Sequence, residues 1–310
     1  SIGVGMAINA KYVDKIPYRA FVLLGDSEMA EGSQWEAIQI AAHYKLHNLI
    51  GILDVNRLGQ RGETMYGHNL NEYKKRIASF GWNIIVINGH SILDICDAYT
   101  HALKEKEKPT MIIAKTLKGK GVSFLENKDG WHGKAVPADK IDDALKELGA
   151  VNKSVIGKLT KPKSAGISKL QFLNSKQIQN SKFQTIVYDK EKPTATRKAY
   201  GNALARIFPK YPNIVVLDAE VSNSTYSDIF QKAYPERFFE MFIAEQNMTG
   251  AALGFSRRGK IPFVSTFAAF FTRAYDQIRM SQYSDANIKF CGSHAGVSIG
   301  QYWASQMGLE

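Results

Sequence analysis

Two polar side chains that could share a metal ion follow successive apolar segments near the start of the chain. Asp26 follows the apolar segment 21–24 after a single glycine, and Asn56 comes soon after the segment 49–53. If these segments are neighbouring parallel strands, both side chains lie at one edge of a sheet, where open α/β sheets bind their ligands. Carboxylate and carboxamide oxygens are donors that Mg²⁺ or Ca²⁺ prefers. Taken alone, each residue is more often a turn residue or a helix cap.

The elements that would hold this pair form an alternation of strands and helices. Continuous β-branched and aliphatic segments predict strands at 20–24, 49–55, 83–87, 110–114, 214–217, 238–242, 262–265 and 287–291. Such segments are typical of parallel sheets with helices on both faces, so the predicted class is α/β with two parallel sheets. Ser33 and Glu36 have the spacing of a capping box, and Ser91 is a predicted cap for a later helix.

Length and composition indicate two domains. A chain of 310 residues, 45% hydrophobic and 22% charged, is typical of a globular protein with more than one domain. The predicted first domain covers 1–150, a Lys-, Ser- and Asn-rich connection covers 151–192, and the second domain covers 193–310. The second domain is expected to be incomplete, because the sequence stops inside a helix-like pattern. The start on Ser1 suggests that upstream sequence is missing as well.

Charge and cysteine content limit the classes of partner and the cellular location that the sequence predicts. The net charge of +11 comes largely from the lysine-rich connection, which lacks the interleaved aromatic residues of a nucleic-acid-binding surface. A solvated surface that attracts anionic metabolites explains it better, so no nucleic-acid partner is predicted. No apolar segment approaches the roughly 20 residues of a membrane span. The two thiols, Cys96 and Cys291, fit a reduced cytoplasmic location.

The sequence around Asp26 and Asn56 resembles the thiamine-diphosphate enzymes, and the transketolases in particular. Their motif begins Gly-Asp-Gly and ends, after a helix, in Asn. The matching sequence is Gly25-Asp26-Ser27, and the segments 31–37 (EGSQWEA) and 56–60 (NRLGQ) also agree with transketolases. The resemblance implies a Mg²⁺ ion that is held by the side chains of Asp26 and Asn56 and the carbonyl of Leu58, and that bridges the diphosphate of the cofactor.

The predicted second domain carries the other half of this resemblance. The segment 243–248 (IAEQNM) is similar to the one that carries the catalytic glutamate of transketolases. The implied role of Glu245 is to bond N1′ of the cofactor's aminopyrimidine and favour the imino tautomer, which generates the reactive ylide. A carboxyl that shares a proton in this way needs a buried site. The segment 265–277 matches the aromatic wall of the pyrimidine pocket, with the implied contacts Phe267, Phe270 and Tyr275, to which Gln306 is added.

Substrate contacts follow from the same resemblance. Arg197 and Ser224 match positions that bind the sugar phosphate, and a guanidinium with a hydroxyl suits a phosphate. His132 and His294 match active-site histidines that contact the diphosphate side or the substrate hydroxyls and assist proton transfer. Lys118 matches a lysine on the cofactor side.

Two positions depart from the family pattern. Ser27 replaces the last glycine of the motif, so it is expected either to crowd the diphosphate or to require a positive φ. Tyr302 replaces an aspartate that contacts a substrate hydroxyl, and a phenol cannot reproduce that short carboxylate. Both departures put the activity of the chain in doubt.

The implied function is transfer of a two-carbon ketol unit from a ketose phosphate to an aldose phosphate, as in the pentose phosphate pathway. The implied assembly is a homodimer whose active sites lie between subunits. Two alternatives stay open. One is a different thiamine-diphosphate enzyme, such as a dihydroxyacetone synthase, a deoxyxylulose-phosphate synthase or a ketoacid dehydrogenase subunit. The other is an inactive transketolase-like binding protein.

Overall fold

A computed structural model describes residues 1–158, 188–296 and 304–308. In chain order its helices and strands are α1 (Ile2–Ile8), β1 (Ala20–Gly25), α2 (Gly32–His43), β2 (Leu49–Val55), α3 (Leu70–Ser79), β3 (Asn83–Asn88), α4 (Ile92–Lys104), β4 (Thr110–Lys115), α5 (Ile141–Leu148), α6 (Thr196–Ile207), β5 (Ile214–Asp218), α7 (Ser222–Thr225), α8 (Asp228–Ala233), β6 (Phe238–Glu240), α9 (Glu245–Arg257), β7 (Ile261–Phe267), α10 (Tyr275–Gln282) and β8 (Lys289–Ser293). Two short 3₁₀ turns bear on the site, Asp26–Ala30 and Phe270–Ala274. None of the described helices is long and apolar enough to cross a membrane.

The chain divides into two compact units. Unit A is Tyr18–Pro162, and unit B combines Ser1–Pro17 with Lys163–Glu310. The sequence-based boundaries place residues 1–17 in the first domain, whereas in the structure they belong to unit B. The reason is packing: α1 lies against α9, so the start of the chain shares a core with the second sheet.

Unit A is a parallel sheet of four strands in the order β1-β2-β4-β3. Strand β1 pairs with β2 in parallel register, with Gly25 opposite Asp54. Because Asp26 and Asn56 follow this pair of residues, the register places both at the same edge of the sheet, as the predicted metal site requires. Strands β2 and β4 are almost wholly buried, because apolar and β-branched residues occupy both of their faces.

Unit B repeats this architecture with the strand order β6-β5-β7-β8, again all parallel. All five residues of β5 are buried, and Leu204, Phe208 and Phe230 pack against one side of it. In register across the sheet lie Glu240, Asp218, Ser265 and Cys291. Polar residues therefore line the carboxyl ends of these strands, which is the edge where this kind of sheet binds ligands.

Side-chain caps explain where several helices begin. Ser91 accepts a hydrogen bond from the Asp94 N–H at 3.2 Å, so its predicted role as a cap is confirmed. The predicted capping box that starts at Ser33 is wrong, because α2 already begins at Gly32. The carboxylate of Glu31 caps this helix by accepting from the Ser33 N–H at 3.4 Å.

The contact between α1 and α9 depends on glycine. A methyl group on Gly5 would lie 1.9 Å from the carbonyl oxygen of Ala251, and one on Gly254 would lie 2.2 Å from that of Ile2. Both obstacles are backbone atoms, which cannot rotate away. The two helices therefore approach so closely that only glycine fits at these positions.

We expect Gly5→Ala and Gly254→Ala to lower the free energy of unfolding, by about 1–3 kcal/mol each, the usual cost of overpacking. This exceeds the gain of roughly 0.5–1 kcal/mol that alanine brings to a helix. Gly32→Ala is the matched control, since nothing lies within 4 Å of its added methyl group. Urea unfolding would measure all three. Equal midpoints for Gly5→Ala and Gly32→Ala would contradict the close packing.

Candidate active site

The candidate site of unit A is built on the carboxylate of Asp26, which follows β1 and is only 4% exposed. Its Oδ2 accepts the Arg57 N–H at 2.7 Å and the Thr64 hydroxyl at 3.0 Å. Burial raises the pKa of this carboxyl, although these bonds act in the opposite direction. Asp26 therefore lies against the loop after β2, beside Asn56 and Leu58.

The amide of Asn56 is held in one orientation. Its Nδ2 donates to Asp54 Oδ2 at 2.8 Å, while its Oδ1 accepts from the Leu58 N–H at 3.0 Å. Asp54 also accepts a short bond from the Thr116 hydroxyl. With Asp54 on the nitrogen side, the Asn56 oxygen is turned toward the Leu58 side of the loop. The carbonyl of Leu58 accepts from Lys118 Nζ at 2.8 Å.

These residues fit the magnesium ion that the sequence predicts. Asp26 after β1 supplies a carboxylate, and Asn56 and Leu58 in the adjoining loop after β2 supply an amide and a carbonyl oxygen. This hard donor set leaves room for phosphate oxygens on Mg²⁺. The described residues contain no cluster of three or more His, Cys, Asp or Glu side chains suited to a metal. A predicted set with a single carboxylate is compatible with that result.

Two other predicted site residues of unit A, Ser27 and His132, are exposed, unlike Asp26. Ser27 is exposed and lies in the 3₁₀ turn Asp26–Ala30, so the expectation that it requires a positive φ is wrong. A methyl group on Gly59 would come 3.1 Å from Ser27 Oγ, which places the hydroxyl against the Asn56–Gln60 loop. His132 lies in an exposed loop before α5. The hydrogen bonds found in the described part of the chain do not connect it to Asp26.

The candidate site of unit B centres on Glu245. It is the first residue of α9 and is 3% exposed. Its Oε2 lies 3.2 Å from Nη1 of Arg273, which belongs to the Phe270–Ala274 turn. A helix N-terminus also favours a carboxylate. The structure thus gives Glu245 the buried position that its implied role needs.

Three aromatic rings form a stack in the candidate site of unit B. Phe267 and Phe270 are nearly parallel, with centroids 4.9 Å apart and planes inclined by 6°. The imidazole of His294 lies on Phe267 with a centroid distance of 3.9 Å. Flat rings held in this way could extend the stack to an aminopyrimidine. Tyr275 starts α10 and is 73% exposed, outside the stack.

Arg197, Ser224 and His294, three predicted substrate contacts, lie close together in the structure. Arg197 Nη1 donates to the Ser224 carbonyl at 2.9 Å and lies 3.4 Å from His294 Nε2. Nδ1 of His294 lies 2.9 Å from the Ser293 hydroxyl. Burial lowers the pKa of His294, and the positive charge of Arg197 lowers it further. This arrangement favours a neutral imidazole beside a guanidinium.

We expect Arg197→Met to raise the pKa of His294, since it removes the neighbouring positive charge and keeps much of the side-chain volume. An NMR titration of the ring protons, assigned with a His294→Gln variant, would measure the change. Arg258→Met is the control, because Arg258 is exposed at the far end of α9 from Glu245. A pKa that stays at the wild-type value in Arg197→Met would contradict the contact.

The last predicted residues are only partly described. Gln306 lies in a short turn, Ala304–Gln306, and its Oε1 is buried. The nearby Gly308 N–H donates to the His294 carbonyl at 3.4 Å, which brings this segment to the candidate site of unit B. Tyr302 lies outside the described residues.

The sequence reasoning missed the residues that hold the predicted ones. In unit A these are Asp54, Thr64 and Thr116, and in unit B they are Arg273 and Asp218. A signal was present for two of them. Asp54 stands two positions before Asn56, and Arg273 lies inside the aromatic segment 265–277. Thr64, Thr116 and Asp218 are brought to the site by the fold and have no local motif of their own.

Comparisons with protein-family models cover almost the whole chain. Residues 6–198 match the model described as "Transketolase, thiamine diphosphate binding domain". Residues 192–310 match "Transketolase, pyrimidine binding domain". The first match alone spans more than half of the chain and contains Asp26, Asn56 and Lys118.

Individual relatives agree with the family models. The chain is 46% identical over 307 residues to human transketolase, covering 99% of this chain and 48% of the human protein. It is 47% identical over 307 residues to mouse transketolase-like protein 2, with coverage of 99% and 48%. The chain thus spans about half the length of the curated relatives it matches.

Solved structures show a similar fold. Transketolase from Leishmania mexicana matches with a TM-score of 0.74 at 20% identity, over 98% of this chain and 52% of that chain. Transketolase from Campylobacter jejuni matches with a TM-score of 0.72 at 22% identity, over the same shares. The predicted α/β class with two parallel sheets is confirmed by these matches and by the strand order of both units.

Proposed function

Because the chain belongs to the transketolase family and carries its thiamine diphosphate-binding domain, we propose that it transfers a two-carbon ketol unit from a ketose phosphate to an aldose phosphate. The observation that carries this proposal is the buried Glu245 at the start of α9, in the same unit as the stacked rings of Phe267 and Phe270. When bound, thiamine diphosphate would supply a nucleophilic carbon for the ketose carbonyl and an electron sink for cleavage of the adjacent C–C bond of the sugar.

The residues of unit B would activate and orient the cofactor ring. Glu245 would share a proton with N1′ of the aminopyrimidine, in a site where burial keeps water from competing for it. Phe270 would stack on the ring, and Phe267 beside it would exclude solvent. Gln306 would contact the same ring.

The residues of unit A would hold the diphosphate end. The oxygens of Asp26, Asn56 and Leu58 would bind Mg²⁺ (or Ca²⁺), which in turn binds the diphosphate. Lys118, already at the Leu58 carbonyl, would add a positive charge on the cofactor side. The exposed His132 would reach the diphosphate or the substrate from its loop.

The sugar phosphate would meet Arg197 and Ser224, and His294 would face its hydroxyls. The guanidinium fork suits a phosphate, and a neutral imidazole can accept a proton from a hydroxyl.

We further propose a homodimer in which one chain supplies unit A and the other supplies unit B to each site. We also propose a place in the pentose phosphate pathway in the cytoplasm. Membership of the transketolase family supports this arrangement.

A second candidate function is cofactor binding without turnover. One of the relatives at 47% identity is a transketolase-like protein, and Ser27 stands in the diphosphate motif where the family has glycine. A different thiamine-diphosphate enzyme, of the dihydroxyacetone synthase or deoxyxylulose-phosphate synthase type, has less support, because both family models are those of transketolase.

A coupled assay of the complete gene product with xylulose 5-phosphate and ribose 5-phosphate, given thiamine diphosphate and Mg²⁺, tests the leading proposal. We expect turnover that depends on both the cofactor and the metal. Calorimetry with the cofactor, run in parallel, separates the candidates: binding without turnover supports the inactive protein, and no turnover excludes ketol transfer.

A further inference from the structure

Asp218 ends β5 and is fully buried, and it organises the segment 221–227 that follows it. Its Oδ1 accepts the Val221 N–H at 2.8 Å, while its Oδ2 accepts the hydroxyls of Thr225 and Ser227, both at 2.8 Å. Three donors from one short segment converge on this carboxylate. The segment is therefore hydrogen-bonded to Asp218 at both of its ends.

Between two of these donors lies Tyr226, whose backbone is in the left-handed region with a φ of 61°. A bulky residue adopts this conformation only where its surroundings hold it there. Thr225 and Ser227, on either side of it, are both bonded to Asp218. The carboxylate thus stabilises an otherwise unfavourable turn.

The turn at Tyr226 carries Arg197. The guanidinium lies over the Tyr226 ring, 5.3 Å from its centroid, and donates to the Ser224 carbonyl at 2.9 Å. On the same face of α6, a methyl group on Gly201 would lie 2.0 Å from the Tyr226 carbonyl oxygen. Helix α6 therefore rests directly on the turn that Asp218 fixes.

Filling space alone would not explain why this buried position holds a carboxyl group. Burial raises the pKa of Asp218 to about 6, against three hydrogen bonds that act in the opposite direction. An anion at this position is thus unfavourable for folding, and a neutral side chain would avoid that cost. What only the anion offers is the capacity to accept all three bonds at once.

We propose that Asp218 is a positioning residue for sugar-phosphate binding: by fixing the 221–227 segment, it sets the direction of the Arg197 guanidinium. The nature of the ligand rests on the proposed function, whereas the positioning of Arg197 can be tested without it. Asp218 itself touches no reacting atom in this arrangement. It acts through Ser224 and Tyr226.

The first test uses the pKa of His294 to report the position of Arg197. His294 Nε2 lies 3.4 Å from Arg197 Nη1. In Asp218→Ala the guanidinium should move away, so the pKa of His294 should rise toward its value in Arg197→Met. Asp218→Asn keeps the shape and part of the bonding, and should leave His294 nearer the wild-type value. NMR titration of the ring measures all four proteins.

Milder variants keep the test valid if Asp218→Ala does not fold. Thr225→Val and Ser227→Ala each remove one donor, and each should raise the pKa of His294 by a smaller amount in the same direction. Ser281→Ala is the matched control, because it removes a part-buried hydroxyl bond to the Ile278 carbonyl (2.7 Å) on α10, away from α6 and the segment 221–227. A pKa unchanged in Asp218→Ala, or raised equally by Ser281→Ala, would overturn the proposal.

The second test uses turnover by the complete gene product. Asp218→Ala should raise KM for ribose 5-phosphate at least about tenfold, the effect of one lost charge-assisted bond, with kcat changed by less than about twofold. Asp218→Asn should restore most of the loss. A fall in kcat at constant KM would contradict the positioning role. If the wild-type protein shows no turnover, the proposed function fails, and the His294 titration still decides the role of Asp218.

Discussion

Glu245→Gln is expected to slow exchange of the C2 proton of bound thiamine diphosphate by about a hundredfold or more, the contribution typical of a positioned acid or base. Glutamine has the shape of glutamate but cannot share a proton with N1′ of the aminopyrimidine. The exchange of the cofactor proton with D₂O, quenched with acid and followed by NMR, measures this step without any sugar substrate. Ketol transfer should fall in parallel.

The burial of Glu245 makes the test specific. The side chain is 3% exposed, with Arg273 Nη1 at 3.2 Å, so solvent cannot take over its role. Cofactor affinity, measured by calorimetry, should change far less than the exchange rate. Glu236→Gln is the control, since Glu236 is an exposed glutamate of the same unit. Exchange at the wild-type rate in Glu245→Gln with cofactor bound would remove Glu245 from the mechanism.

The fold was predictable because its signals are local. Apolar, β-branched segments mark each strand, and every one of the eight predicted strands is present, with ends that shift by a few residues. The parallel pairing of β1 with β2 follows from the helix between them. The position of α1 was not predictable in this way. Its glycines, Gly5 among them, show their purpose only once the backbone of α9 lies against them.

The candidate site was predictable where a motif carries it and hidden where the fold assembles it. Asp26 and Asn56 follow strands, and Arg197 and His294 belong to segments that match a known family. Asp218 has no such signal, because its three partners are defined by the turn at Tyr226 and not by spacing. The positive φ that was one of the two expectations for Ser27 was wrong for a similar reason. The motif indicates a tight turn but not that the turn is a 3₁₀ turn with negative φ.

Asp26→Asn is expected to weaken Mg²⁺-dependent binding of thiamine diphosphate by about a hundredfold or more, since changes to residues that only support a metal ligand already cost 10–100-fold. The substitution isolates the metal because Asp26 Oδ2 alone accepts both the Arg57 N–H and the Thr64 hydroxyl. An amide oxygen in that place keeps both bonds. What is lost is the charge and the second oxygen, which an NH₂ group cannot replace as a ligand.

The prediction therefore separates binding from folding. Calorimetric titration of the cofactor over a range of Mg²⁺ concentrations should show the loss, whereas the free energy of unfolding without metal should stay within about 1 kcal/mol, because the Arg57 and Thr64 bonds are kept. Asp97→Asn is the matched control, since it makes the same change at an exposed position on α4. Wild-type affinity in Asp26→Asn would place the metal elsewhere. Equal losses of affinity and stability would mean that Asp26 holds the loop and not the ion.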